Sequence, residues 1–113
     1  MITERFAQAL AVAIQAHDGQ LRKGTTIPYI SHPIGVSSIA MEYGADEDQA
    51  IAALLHDVLE DAEPQVRPHF EVIIKSQFGS RVFEIVLAAL TACQMQVVKS
   101  KVGKRGKLPI LNI

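Results

Sequence analysis

Cysteine is almost absent from this chain. Cys93 stands alone among 113 residues, so no internal disulfide can form. Tryptophan is missing and aromatics make up 5% of the residues, which leaves few flat surfaces for stacking single-stranded bases. No apolar run approaches the ~20 residues that a bilayer-crossing helix needs. Met1 to Arg5 lack the basic, apolar and small-residue sections of a secretory signal. These absences predict a soluble, cytoplasmic protein with no membrane partner. Two further gaps concern charge. No Lys or Arg lies between Asp46 and Glu63, and no Asp, Glu or His follows Glu84.

What is present fits one globular domain. The hydrophobic fraction is 49%, too high for a disordered chain, and 12.3 kDa suffices for a single core. Residues 1–98 hold 6 Lys+Arg against 12 Asp+Glu, whereas 99–113 hold 5 Lys+Arg and no acid. The expected division is therefore a helical domain over 1–98 and a basic tail over 99–113. A basic tail is a weak sign of nucleic-acid binding, and a solvated or unfolded terminus is the better explanation. Nucleic acid is not the expected partner.

Apolar spacing predicts an all-α fold, a compact bundle of about five helices. Thr3 caps the first helix, in which Phe6, Leu10, Ile14 and His17 share a stripe. Asp18 to Pro28 reads as a polar loop. Pro33 suits the start of a second helix, carried by Ile34, Ile39, Ala40 and Tyr43 to Gly44. Asp46 and Gln49 form a capping box for the third, with Ile51, Leu54, Leu55, Val58 and Leu59 inward. Pro68 opens a fourth, ending at Gly79. Ser80 caps a fifth, with Val82, Ile85, Val86, Ala89 and Leu90 inward.

The third helix carries the chemistry. With His56 at zero and ~100° per residue, Glu60 falls near 40°, Asp57 near 100° and Asp61 near 140°. The apolar residues fall between about 160° and 300°. His56, Asp57, Glu60 and Asp61 thus form one polar stripe clear of the core face. With no basic residue near them, these groups repel one another unless a cation sits among them. Imidazole and carboxylate together suit a divalent ion such as Mn, Zn, Fe or Ni. Two ligands are too few, and His32, beside Pro33, is the candidate third. His17 is expected to be a buried or loop-anchoring histidine, and Cys93 a core residue.

Several motifs fall in a familiar order. They are His17-x-x-Gln20-x-Arg22-Lys23, Pro28-Tyr29-Ile30-x-His32-Pro33, Ala53-Leu54-Leu55-His56-Asp57-x-x-Glu60-Asp61, and Phe78-Gly79. From about Phe6 to Thr91 the chain resembles the HD-domain phosphohydrolases, in particular the guanosine tetraphosphate (ppGpp) hydrolase branch of RelA/SpoT proteins and their small stand-alone homologues. The resemblance implies His32, His56 and Asp57 as metal ligands, usually for manganese. It implies Glu60 and Asp61 as the catalytic acidic pair that orients or deprotonates the attacking water. Arg22 and Lys23 match basic residues next to the nucleotide. The implied reaction removes pyrophosphate from the 3′ position of ppGpp.

The chain departs from the family in its last part. The family's further aspartate, in a motif resembling Leu-Ala-Asp-Lys-Leu-His-Asn, is absent, and Leu90-Thr91-Ala92-Cys93 stands where Leu-Thr-Asp often occurs. The expected site has three ligands where the family uses four. The family's last helices are expected to be missing, as in a truncated product. Two alternatives follow: a degenerate domain that binds metal or nucleotide with little catalysis, and a non-enzymatic interaction module. Missing helices would also expose an apolar face around Val86 and Leu90. The expected consequence is a homodimer through the fifth helix or the segment after it, including Leu108, Ile110 and Leu111.

Overall fold

A computed structural model describes residues 1–89. The expectations placed on Leu90, Cys93, the basic tail and Leu108 to Leu111 lie outside the described residues. The order is α1 (Glu4–Ala16), α2 (Ser31–Glu42), α3 (Glu47–Asp61) and α4 (Arg67–Phe78), followed by α5, helical over 80–89. Among the described residues the only β-type pairing is an isolated antiparallel bridge, Leu21 to Pro28, inside the α1–α2 loop. The all-α reading holds.

The helices start where local chemistry dictates. Thr3 accepts a hydrogen bond from the Arg5 N–H. Asp46 and Gln49 form a reciprocal capping box, each side chain taking the other's backbone N–H. Gly79, at φ 96°, ends α4 in a backbone region that L side chains rarely adopt. Pro33 and Pro68 lie one or two residues further into their helices than expected, since α2 begins at Ser31 and α4 at Arg67. Both remain in the first turn, where a missing N–H costs nothing.

Helix α3 is the centre. Nine of its residues are buried, including Ile51, Leu54, Leu55 and Leu59, each no more than 1% exposed. Helices α1 and α2 pack on it most extensively, and α4 packs on it less. Ile74 and Phe78 of α4 and Val82 and Val86 of α5 complete the core. The α1 face differs from expectation. Ile14 is exposed, and Ala9 and Ala13 are the residues buried against α3. Small side chains one turn apart let the two backbones approach, and Phe6 and Leu10 flank that contact. In α2, likewise, Ile34 and Tyr43 face solvent. Pro33, Val36, Ser37 and Ala40 turn inward, with Ser37 Oγ donating to the Ala50 carbonyl at 2.8 Å. Val86 is fully buried in the core, so it does not line an uncovered face.

The opposite end of α3 is held by ions. Arg5 reaches Glu47 Oε1 (3.3 Å), Asp48 Oδ1 (2.9 Å) and the Phe78 carbonyl (2.9 Å). Arg81 spans Asp46 Oδ2 and Asp48 Oδ2, both at 3.0 Å. Thr3 donates its backbone N–H and its hydroxyl to Glu47 Oε2. The starts of α1, α3 and α5 are thereby tied together around carboxylates that also favour a helix N-terminus.

Candidate metal centre and the cleft beside it

His32 lies in the first turn of α2, and His56 and Asp57 in the last two turns of α3. The packing of α2 on α3 brings them together. One donor atom from each lies within 4.8 Å of the others. Asp57 bridges the pair, with Oδ2 3.4 Å from His32 Nε2 and Oδ1 3.1 Å from His56 Nε2. The polar stripe expected on α3 is therefore split. His56 and Asp57 are each 5% exposed, covered by α2 and the α1–α2 loop, while Glu60 and Asp61 remain at the surface. An angular reading of one helix cannot see the neighbour that covers it.

The donor set fits a divalent cation. His56 Nδ1 lies 2.7 Å from the Ala53 carbonyl oxygen, which can only accept, so the ring proton sits on Nδ1. Nε2 then turns its lone pair toward Asp57 Oδ1. Two buried acceptors at 3.1 Å repel each other unless a cation or a proton lies between them. A backbone carbonyl that fixes the tautomer of a histidine ligand is a recurrent support in metal sites. The described residues contribute three protein donors, all nitrogen or oxygen.

Tyr29 supports this trio from the loop. Its hydroxyl donates to Asp57 Oδ2 at 2.6 Å. Burial first, then the hydrogen bond to Asp57 and the charges of Asp57, Asp61 and Glu60, push the phenol well above its ordinary pKa. The phenol therefore stays protonated and stays the donor. Its ring lies between those of His17 (4.9 Å) and His32 (5.6 Å), and His32 in turn lies 5.6 Å from His56. His17 is buried and anchors the loop, as expected. The Glu60 carboxyl is raised, first by desolvation and then by Asp57 and Asp61, with His56 opposing.

A cleft of about 410 Å³ opens beside the trio, lined by Arg22, Lys23, Thr25, Ile27, Tyr29 and His32. Arg22 and Lys23 thus share a concavity with His32 and with the tyrosine that holds Asp57. Arg22 is fixed through its backbone: its N–H donates to the Ile27 carbonyl, and its carbonyl accepts from Thr25. All seven residues expected at the site belong to this end of the fold. Sequence reading assigned no role to Tyr29 or Gln20. Their positions in the quoted motifs were the available signal, but the loop path that carries them to α3 is tertiary.

This helical frame, with paired histidines and an aspartate at its centre, matches the HD domain family model over residues 9–108, and the chain belongs to the HD domain family. It is 44% identical over 75 residues to the guanosine-3′,5′-bis(diphosphate) 3′-pyrophosphohydrolase of Haemophilus influenzae, covering 66% of this chain and 10% of that protein. It is 42% identical over 83 residues to the bifunctional (p)ppGpp synthase/hydrolase SpoT of Escherichia coli, covering 74% of this chain and 11% of that protein. A guanosine-3′,5′-bis(diphosphate) 3′-pyrophosphohydrolase of Aquifex aeolicus is 41% identical over 83 residues, again 74% and 11%. The chain thus spans about a tenth of the length of these curated relatives. Among the described residues no helix is long and apolar enough to cross a membrane.

Proposed function

We propose that this chain is a cytoplasmic, manganese-dependent phosphohydrolase that releases pyrophosphate from the 3′ position of guanosine 3′,5′-bis(diphosphate). The observation that carries the reading is the convergence of the His32–His56–Asp57 donor trio with the Arg22–Lys23 cleft at one end of α3. The likeness to proteins named for that hydrolysis supports it. In this reading residues 1–98 carry the domain and 99–113 a basic tail.

His32, His56 and Asp57 hold the ion. When bound, a divalent ion there supplies a Lewis acid that stabilises phosphoryl charge and eases deprotonation of water. Arg22 grips phosphate oxygens with its planar fork and Lys23 adds a point charge. Glu60, whose raised carboxyl makes it a better proton acceptor than an ordinary glutamate, takes the proton of the attacking water. Asp61 orients that water. The water oxygen bonds to phosphorus as the bond to the ribose 3′ oxygen breaks; that oxygen leaves with the electron pair and takes up the proton Glu60 has accepted, and pyrophosphate departs.

A second reading has its own observation. The described residues supply three metal donors, and the sequence after Glu84 has no Asp, Glu or His to add. A domain of this kind binds metal and nucleotide without turning substrate over. One experiment separates the two: manganese titration together with an assay of manganese-dependent pyrophosphate release from ppGpp. Binding with release supports the first reading, and binding without release the second. Absence of both excludes this site.

Self-association belongs to the same proposal. Ile85 and Ala89 of α5, with Val36, Ala40, Ala52 and Ala53, line an apolar cleft of about 170 Å³ behind His56. Two copies meeting there would cover it. Sedimentation giving only the 12.3 kDa species at high concentration excludes the dimer.

A further inference from the structure

A second line of side chains enters the site from the segment that follows α1. Gln20 Nε2 donates to Asp61 Oδ2 at 3.2 Å. A carboxylate only accepts, so the amide nitrogen faces Asp61 and Oε1 faces away. Oε1 meets His17 Nδ1 at 2.9 Å. A carbonyl oxygen also only accepts, so His17 carries its proton on Nδ1. Its Nε2 is buried with no hydrogen-bond partner among the described residues, and a proton there would have no acceptor. The three groups therefore have a single consistent polarity, from His17 through Gln20 to Asp61.

Both inner members are held in place. His17 closes the end of α1, is 4% exposed and lies against the Tyr29 ring. Gln20 is pinned by its backbone: its N–H donates to the His17 carbonyl at 3.0 Å, and its carbonyl accepts from the Tyr29 N–H at 2.8 Å. Asp61, by contrast, is the last residue of α3 and lies at the surface. A short carboxylate there has several staggered rotamers open to it unless something selects one.

We propose that His17 and Gln20 are positioning residues that fix Asp61 in one rotamer beside Glu60. The proposal rests on the reading of Glu60 and Asp61 as the pair that handles the attacking water. His17 acts only through Gln20: its Nδ1–H occupies the amide oxygen and so prevents the amide from flipping its oxygen toward the carboxylate.

Two measurements test this. The first, imidazole ¹⁵N NMR of the full chain at pH 7, is independent of activity. The parent should show His17 as the pure Nδ1–H tautomer. Gln20→Leu, which leaves neither ring nitrogen an acceptor among the described residues, should mix the two tautomers. An Nε2–H tautomer in the parent, or no response to Gln20→Leu, overturns the relay whatever the activity. The second is steady-state pyrophosphate release from ppGpp with manganese. Gln20→Leu and His17→Phe should each lower kcat by about tenfold, the value of one charge-assisted hydrogen bond, with KM unchanged. The double variant should be no worse than Gln20→Leu alone. Losses that multiply, or that fall on KM, overturn the relay. A parent with the predicted tautomer behaviour but no pyrophosphate release defeats the hydrolase reading and leaves the hydrogen-bonded line standing.

Discussion

Tyr29 and Asp57 are 28 residues apart in sequence and share a 2.6 Å hydrogen bond, with the tyrosine hydroxyl donating to carboxylate Oδ2. The bond fixes a buried carboxylate that also lies within reach of two histidines. Tyr29→Phe keeps the ring between His17 and His32 but removes the donor. Support of this kind is typically worth 10–100-fold in metal affinity. Calorimetric titration with manganese should show a loss of about that size, with the helical signal unchanged. Equal affinities in parent and variant would mean that Tyr29 does not orient the ligand.

Manganese should also stabilise the fold. A ligand that binds only the native state at a hundredfold excess over its Kd contributes about 2.7 kcal/mol. Thermal melts with and without the ion should therefore separate by several degrees for the parent. The His56→Ala, Asp57→Ala double variant should melt at the same temperature in both buffers. A shift that survives the double variant would place the ion elsewhere.

Glu60→Gln tests the base without disturbing the donor trio. Glutamine keeps the shape of the side chain but accepts no proton, so turnover of ppGpp should fall by about 10²–10⁴. Manganese affinity should hold. Parental turnover in the variant would remove Glu60 from the mechanism.

Acid sensitivity should trace to the other end of α3. Arg81 and the capping N–H of Gln49 hold Asp46 below its ordinary 3.8. Arg81, then Arg5, hold Asp48 below 3.8, and Thr3, then Arg5, hold Glu47 below 4.5. Native carboxyls that resist protonation add stability that is complete above those ordinary values. It is lost as pH falls through the lowered native ones. Arg81→Ala should lower Tm slightly near neutrality, since the pair is exposed, and that difference should disappear as pH falls below about 4. Parallel Tm–pH curves for parent and variant would assign the acid loss to other groups.

The caps of α1 and α3 were legible because Thr3, Asp46 and Gln49 act on backbone groups within three residues. The buried face of α1 departs from its apolar period because periodicity gives weight to large apolar side chains. The contact with α3 is made instead by Ala9 and Ala13, and Ile14 is left outside. At the site, the spacing of His56 and Asp57 on one helix placed them together, and His32 at the start of the preceding helix was a natural third. Their burial was not legible, because the cover comes from α2 and a loop. Nor was the tyrosine above them, whose place depends on a bridge between Leu21 and Pro28 that no helical period announces.

The carboxylates of the arginine clamp and the donors His56 and Asp57 lie eight to eleven residues apart along α3, about 12–16 Å at 1.5 Å per residue. Sites so separated, with no shared partner, change nearly independently. Substitutions at Thr3, Arg5 or Arg81 can tune how long the domain survives heat or acid without touching what its other end recognises. The reverse also holds, so a lineage could remodel the cleft while keeping the same anchor. The long middle of α3, packed on nearly every side, acts as an insulator between two evolutionary dials.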